Sequence, residues 1–284
     1  MGTYDNERPD NYPDQREHEN DYANYPRNED GYRDPHHYGH GGHVPHRGGS
    51  GCHDYPPPLC QQDFPRDNCY SYIDKNYYRE VEARHGRVIN PPSRAQFLVN
   101  EGLLAAWEAN EMEGGKNFPA TTGGTPPPPF QTDAWGAAPP PDGFIISGGR
   151  TGNRNRVNFT DAELNQLAPR FAGWPRLRVA PGQRFNVEWF YQQAHVTRGY
   201  RWFITRDGWN PNQRITREQL ESRPFYEDIS PLVPFNNFRD QLIPRVFHSA
   251  PIPFNKRGHH IIVMVWVTAD SPNGFYQGFD VDIG

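Results

Sequence analysis

The feature that most constrains the fold is a change of composition at residue 85. Residues 1–84 contain sixteen acidic side chains against nine basic ones, a net charge of −7, with eleven of the fifteen Tyr and seven of the twelve His. They contain almost no Leu, Ile or Val. Such a segment cannot bury enough apolar surface to offset the entropy of ordering its chain. We therefore expect a disordered tail over residues 1–84 and one folded domain over residues 85–284.

The size and charge of the second part exclude several classes of protein. A domain of about 200 residues buries about 70% of the surface of its unfolded chain, which is enough for one core. Its net charge is close to +2, so neither part has the basic surplus typical of nucleic-acid-binding proteins. No apolar run is long enough to span a membrane. The N-terminus lacks the basic start and apolar core of a secretory signal, so we expect any export to use another route.

Two groups of reactive side chains lie in the tail. The three cysteines permit one disulfide with a free thiol left over, an intermolecular link, or no bridge at all. The His/Gly/Pro-rich stretch at 36–53 is either a loose metal-collecting tract or a solvated linker. The cysteines are Cys52, Cys60 and Cys69, and the histidines are His36, His37, His40, His43, His46 and His53.

Short segments after residue 85 have the patterns of β-strands. Residues 184–191 and 275–283 alternate with period two, and residues 260–267 form a continuous apolar run. Helical turns within 95–113 and proline-rich runs up to residue 141 predict a long irregular insertion, and such insertions commonly carry function. Many short strands with little helix predict an all-β sandwich. The predicted strands cover 86–90, 144–146, 184–191, 200–205, 260–267 and 275–283.

Five motifs follow one another in this part of the chain. Together they resemble the bacterial and viral chitin-binding type-4 proteins, which are lytic polysaccharide monooxygenases of auxiliary activity family ten. The resemblance covers residues 85–284 and implies a fibronectin-like or immunoglobulin-like β-sandwich with a helical, loop-rich insertion after the first strand. The motifs are HG at 85–86 with PSR at 92–94, EGGKNFP at 113–119, residues 143–149, residues 194–211, and residues 258–277 ending in ADSPNGFYQ.

The resemblance implies a mononuclear copper site. His85 would bind copper through its α-amino nitrogen and one ring nitrogen, and His195 through a second ring nitrogen. Phe275 would fill an axial side, and Glu113 would lie next to the metal and supply a proton. Copper accepts nitrogen ligands in such a tetragonal arrangement. The implied activity is oxidative cleavage of chitin or a related insoluble β-1,4-glycan, with an external electron donor.

Three further residues would contact the polysaccharide according to the same resemblance. Trp107 falls where the family has an exposed aromatic residue for stacking on sugars, although its pattern fits a core residue of the insertion equally well. Asp270 and Asn273 would lie on the same flat face. Asp and Asn also favour turns, so the alternative is that both only shape the turn before the last strand.

The copper site requires a free amine at residue 85. In the intact chain this nitrogen belongs to a planar amide, whose lone pair is delocalised into the carbonyl of Arg84. A free α-amine, with a pKa of about 8, can lose its proton to a metal. The enzyme hypothesis therefore requires cleavage between Arg84 and His85. The alternative hypothesis is a non-catalytic glycan-binding or surface structural module that retains its tail.

The sequence departs from the family pattern at two points. Gln193 stands where a small residue commonly lies close to the axial side of the metal. Cysteines that often brace the insertion and the late loop are absent near 97–103, Tyr226 and His248. Missing disulfides indicate folding in a reducing compartment. The resemblance implies secretion, with retention in the cytoplasm until release as the alternative.

Other candidate chemistry is weaker. Single histidines in β-proteins are usually structural, and we assign His248, His259 and His260 to that class. The Gly-rich stretch at 148–152 lacks the lysine and the strand-to-helix context of a phosphate-binding loop. No ordered Ser-His-Asp arrangement is present.

Overall fold

The computed structural model describes residues 85–284. The predicted disorder of the tail, its cysteines and its His-rich stretch lie outside the described residues. No helix among residues 85–284 has the length and apolar character needed to cross a membrane.

The strands are β1 (Gly86–Asn90), β2 (Glu113–Gly115), β3 (Leu177–Val179), β4 (Arg184–Tyr191), β5 (Thr197–Ile204), β6 (Tyr226–Ile229), β7 (Phe247–Pro251), β8 (Gly258–Thr268) and β9 (Asn273–Ile283). The α-helices are α1 (Arg94–Asn100), α2 (Ala106–Asn110) and α3 (Asp161–Leu167), and 3-10 helices cover Gly152–Asn158, Arg217–Gln219 and Phe235–Phe238.

Two sheets form a β-sandwich, as the sequence pattern predicted. The smaller sheet has the strand order β1-β4-β7 and is antiparallel. The larger sheet has the order β2-β9-β8-β5-β6, with β3 joining β9 in parallel. The long β8–β9 ladder extends from Val267, opposite Gly274, to Gly258, opposite Ile283. This ladder places the start of β9 at one end of the sandwich and the chain terminus at the other.

The space between the two sheets holds a core rich in aromatic residues. Phe185, Val187 and Trp189 of β4 point inward, and alternate with more exposed neighbours as the period-two pattern requires. They pack against Trp202 of β5 and Trp266 of β8. Each buried side chain of this size stabilises the fold by about 1.5–3 kcal/mol relative to exposure.

The outer face of the larger sheet is covered by the insertion. Leu98 of α1 and Met112 pack onto Val263 and Val265 of β8, in a core separate from the one between the sheets. The alternate residues of β8 point into the first core. Both faces of β8 are therefore buried, which explains why its sequence is a continuous apolar run.

A buried ion pair attaches the insertion to the sandwich. Ser93 caps α1 by accepting a hydrogen bond from the backbone nitrogen of Gln96. Arg94, the first residue of that helix, donates to both carboxylate oxygens of Asp280 in β9, at 2.7 and 2.9 Å. His259 Nε2 lies 3.0 Å from the same carboxylate. The charge of Asp280 is thus paired on two sides below the surface.

One predicted strand is wrong. Residues 144–146 form turns rather than a strand, because side-chain and turn contacts occupy the backbone groups that a ladder would need. The backbone nitrogens of Ile146 and Ser147 donate to Asn158 Oδ1 at 2.9 and 3.3 Å. Gly148 and Gly149 then reverse the chain with φ values of 67° and 88°, which glycine adopts without strain. The pattern also fails to predict β2, β3, β6 and β7, which have only three to five residues.

Candidate functional site

His85 lies immediately before β1, opposite the bend that follows β4. Gly86 pairs with Tyr191, and the carbonyl oxygen of His85 accepts hydrogen bonds from the backbone nitrogens of Gln192 and Gln193 at 2.9 and 3.1 Å. Glycine is required at 86, because a Cβ there would lie 2.6 Å from the carbonyl oxygen of Phe190. Main-chain pairing therefore positions His85 without any contribution from its own side chain.

His195 lies in the loop between β4 and β5, and a buried carboxylate orients its ring. Its Nδ1 is 2.9 Å from Asp270 Oδ1, and the two side chains are only 9% and 5% exposed. We assign the ring proton to Nδ1, because a carboxylate accepts a hydrogen bond from N–H. Nε2 is then the nitrogen with a lone pair for a metal, an arrangement common among metal-binding histidines.

The two histidine rings both lie next to the ring of Phe275. The ring centroids of His85 and Phe275 are 6.3 Å apart, and those of His195 and Phe275 are 5.7 Å apart. Phe275 is fully buried and stacks on Trp266 of β8 with a centroid distance of 4.7 Å. The structure thus brings together, at one end of the sandwich, three residues from segments far apart in the sequence.

Glu113 lies directly opposite Phe275 in the β2–β9 ladder. Its Oε1 accepts a hydrogen bond from Asn273 Nδ2 at 2.8 Å, and its Oε2 accepts one from Arg150 Nη2 at 2.8 Å. The carboxylate is therefore held from two sides. Sequence reasoning did not identify Arg150, because a lone arginine in a glycine-rich turn carries no periodic signal and its partner is distant along the chain.

The surroundings of His85 favour its neutral form. Burial lowers the pKa of His85 below the usual 6.5, and the nearby charges of Glu111 and Glu113 oppose this shift only in part. His195 and Arg150 lower the pKa further. A neutral imidazole is the form that binds a metal, so this ring is available at neutral pH.

Trp107 is exposed, and the alternative of a core residue is wrong. Its side chain is 55% exposed on α2, with the guanidinium of Arg154 4.9 Å from the ring centre. Helix α2 adjoins the bend after β4 through Asn110, whose Nδ2 donates to Gln192 Oε1 at 2.8 Å. Trp107 therefore lies on the helix that borders the histidine pair.

Asp270 and Asn273 point to the site rather than outward. The carboxylate of Asp270 is buried against His195, and the amide of Asn273 donates to Glu113. The side chain of Asp270 is only 5% exposed and contacts His195. Contact of Asp270 and Asn273 with a polysaccharide stays a prediction.

Trp135 is an exposed aromatic residue that sequence reasoning missed. Its side chain is 67% exposed. Its neighbours are anchored to the turn before β9, because the backbone nitrogens of Ala134 and Ala137 donate to the carbonyl oxygens of Ala269 and Pro272 at 2.8 and 2.9 Å. The only available signal was a tryptophan between small residues in a proline-rich stretch that has no apolar periodicity.

The donor set fits copper once a main-chain amine is included. Within residues 85–284, no three His, Cys, Asp or Glu side chains converge on one point. A metal held by His85 and His195 would therefore take a further donor of another kind, and a free α-amine at residue 85 would supply one. Two imidazoles and an amine suit copper better than the oxygen-seeking metals, which prefer carboxylates and carbonyls.

Comparisons with known proteins point to the same family. The family model described as lytic polysaccharide mono-oxygenase, cellulose-degrading, matches residues 85–281. The chain is 26% identical over 208 residues to GlcNAc-binding protein A of Shewanella oneidensis, covering 72% of this chain and 36% of that protein. It is 29% identical over 205 residues to the chitin-binding protein CbpD of Pseudomonas aeruginosa, covering 69% of this chain and 47% of that protein. The chain thus spans less than half the length of these relatives.

Solved structures agree. A chitin-binding domain from Burkholderia pseudomallei has a TM-score of 0.65 and 35% identity, and the match covers 71% of this chain and all of that one. A family-ten (AA10) lytic polysaccharide monooxygenase from Streptomyces lividans has a TM-score of 0.53 and 28% identity, with 70% and 99% of the two chains covered. With residues 85–281 matched by the family model, this chain belongs to the lytic polysaccharide monooxygenases of auxiliary activity family ten.

Proposed function

We propose that residues 85–284 form a copper-dependent monooxygenase that cleaves chitin or a related β-1,4-glycan, once cleavage before His85 has freed its α-amine. The observation that supports this most directly is the meeting of the His85 and His195 rings at Phe275, with centroid distances of 6.3 and 5.7 Å. Membership of the family supports the reaction type.

In this proposal His85 and His195 hold copper with one ring nitrogen each, together with the amine of residue 85. With dioxygen or peroxide as the oxidant and an external electron donor as the reductant, copper bound there would supply the chemistry that oxidises a glycosidic carbon. Asp270 keeps the ring proton of His195 on Nδ1. Phe275 has no donor atom, so it closes one side of the site to water and other ligands.

Glu113 is the group that holds and moves a proton beside the site. Arg150 and Asn273 fix its two oxygens, so the carboxylate keeps one orientation toward the histidines without a reorganisation step. A general acid or base is effective only when it is positioned within hydrogen-bond reach of the proton that it transfers. Its side chain remains 16% exposed, which allows exchange of that proton with solvent.

The exposed rings of Trp107 and Trp135 support an insoluble polysaccharide as substrate. Aromatic faces can stack on the apolar faces of sugar rings, and both tryptophans present exposed rings. The names of the relatives from Shewanella and Pseudomonas refer to GlcNAc and chitin, whereas the description of the family refers to cellulose. We therefore propose chitin first, and cellulose as the competing substrate in binding assays.

The requirement for a free amine is tested by electron paramagnetic resonance. A protease site engineered directly before His85 allows the full-length chain to be folded first and cut afterwards. We expect a nitrogen-rich tetragonal Cu(II) spectrum only after the cut, and its loss in the cut His195→Ala variant. Identical spectra before and after the cut would contradict the role of the amine.

A second candidate function is binding without catalysis. It is favoured by the peptide bond between Arg84 and His85 in the encoded chain, because this bond makes the nitrogen of residue 85 an amide. A chain that keeps its tail would be a non-catalytic glycan-binding or surface module, consistent with relatives named for binding. The intact mass of protein from the native source separates the two functions. A mass of 32.7 kDa favours the binding module, and loss of residues 1–84 favours the enzyme.

A further inference from the structure

The side-chain oxygen of Gln193 is buried without a partner. Gln193 is 7% exposed, and its Oε1 accepts no hydrogen bond from any residue in the described part of the chain. The neighbouring Gln192 differs, because its Oε1 accepts a hydrogen bond from Asn110 Nδ2 at 2.8 Å. Buried polar atoms are nearly always paired, so an orphaned acceptor calls for a partner outside the protein.

Gln193 adjoins both histidines of the site. Its backbone nitrogen donates to the carbonyl oxygen of His85 at 3.1 Å. Burial alternates from Tyr191 to His195, so that residues 191, 193 and 195 are buried and residues 192 and 194 are partly exposed. The orphaned oxygen is therefore buried in the loop that carries His195, on a residue whose backbone is hydrogen-bonded to His85.

We propose that Gln193 Oε1 is an additional, weak oxygen donor to the copper ion that His85 and His195 would hold. This inference rests on the proposed function and deepens it. A glutamine oxygen is a known weak ligand of copper in sites with two histidines and a cysteine, and tetragonal Cu(II) accepts nitrogen and oxygen donors. Phe275, beside both rings, has no atom for this purpose. The family resemblance implies a small residue at position 193, so an oxygen donor there would be a departure from the family pattern.

An additional oxygen donor has a defined effect on the metal. Amide oxygen is a hard, neutral donor, which stabilises Cu(II) more than Cu(I). Gln193 would therefore lower the reduction potential of the centre, and its oxygen would compete with other ligands for the metal. Removing the oxygen without changing the volume should weaken Cu(II) binding and leave Cu(I) binding nearly unchanged.

The test compares three variants of the chain cut before His85. Gln193→Leu keeps the volume and removes the oxygen, Gln193→Glu keeps an oxygen and adds charge, and Gln192→Leu is the matched control with an oxygen that already has a partner. We expect Gln193→Leu to lower g∥ and raise A∥ of the Cu(II) spectrum, and to weaken Cu(II) affinity about tenfold. Gln193→Glu should bind Cu(II) more tightly than wild type. Gln192→Leu should keep the wild-type g∥ and A∥.

Metal-free stability is a second readout. Replacing an unpaired buried oxygen with an apolar group should leave the melting temperature of metal-free Gln193→Leu unchanged or higher. The rise in melting temperature on adding Cu(II) should be smaller than in wild type.

The outcomes separate the two proposals. A wild-type spectrum and wild-type copper affinities in Gln193→Leu overturn the role of Gln193 and leave the proposed function intact, because the orphaned oxygen then binds water only. Absence of a nitrogen-rich copper spectrum in the cut wild-type chain overturns the proposed function, and the role of Gln193 with it.

Discussion

Among single residues, Asp270 has the clearest consequence for the site. Its carboxylate is the partner of His195 Nδ1 at 2.9 Å and is buried. Residues that orient a metal-binding histidine in this way fix its tautomer and strengthen it as a ligand. The site therefore depends on a residue that does not itself bind the metal.

We predict that Asp270→Ala weakens Cu(II) binding by the chain cut before His85 about 10–100-fold. Asp270→Asn should weaken it less, because the amide oxygen can still accept from Nδ1–H. Competition titration with a chelator measures the affinities. Asp282→Ala is the control, since Asp282 is an exposed residue at the far end of β9. Equal affinity in Asp270→Ala and wild type would remove the orienting role.

His248 provides a pH prediction, because it is buried in an aromatic environment. Burial, reinforced by the charge of Arg245, lowers its pKa from 6.5 to about 3. Between these values the unfolded chain binds a proton that the folded chain does not. The free energy of unfolding is therefore highest above pH 6.5 and falls as the pH is lowered, by about 1.4 kcal/mol per pH unit from this residue.

The measurement is urea denaturation at several pH values between about 4 and 7. His248→Gln removes the titrating group, so its unfolding free energy should fall less steeply with acid than that of wild type. Other groups titrate in both proteins and cancel in the comparison. Parallel curves for the two proteins would show that His248 does not titrate in this way.

Among the secondary-structure elements, α1 is joined to β9 by the buried ion pair of Arg94 and Asp280. Burial alone would raise the pKa of Asp280, but Arg94 and the hydrogen bond with His259 bring it below the usual value. Breaking such a buried pair leaves one charge uncompensated. The resulting loss of folding free energy exceeds the stabilisation that the intact pair provides.

We expect Arg94→Met to lower the free energy of unfolding by about 3–5 kcal/mol. The exposed pair of Arg170 with Glu101 is the control, and Arg170→Met should cost about 0–1 kcal/mol. Urea denaturation measures both. A similar cost for the two substitutions would mean that the buried pair contributes no more than a surface pair.

The two exposed tryptophans belong to different elements, with Trp107 on α2 and Trp135 in the proline-rich part of the insertion. Trp107→Ala and Trp135→Ala should each weaken binding to crystalline chitin by about 1–2 kcal/mol, or roughly five- to thirtyfold. Phe254→Ala is the control. Phe254 is 78% exposed but packs at Gly182, next to the start of β4 and away from His85. Unchanged binding by either tryptophan variant would remove that ring from the binding face.

At the scale of the molecule, the core clusters of the described residues run from Val88 to Ile283. We predict that cutting the folded chain before His85 leaves the metal-free melting temperature unchanged. Cu(II) should then stabilise only the cut chain, by about 2.7 kcal/mol at a free concentration a hundred times the dissociation constant. Calorimetry with and without copper measures this. Equal stabilisation of the uncut chain would contradict the requirement for a free amine.

The sequence by itself predicted the sandwich and the approximate positions of its long strands, and its resemblance to a known family singled out His85 and His195. Period-two alternation and continuous apolar runs are local signals, and the order of the motifs can be seen in the sequence without a structure. The covalent state of residue 85 is also a property of the sequence, because an amide nitrogen has no lone pair for copper.

Only the tertiary structure decided which side chains complete the site. Asp270 lies 75 residues from His195 in sequence, and Arg150 lies 37 residues from Glu113. The turn at 144–146 depends on the distant oxygen of Asn158, and the unpaired oxygen of Gln193 is visible only when every neighbour is in place. Local patterns carry no information on such pairs, because packing brings them together after the strands have formed.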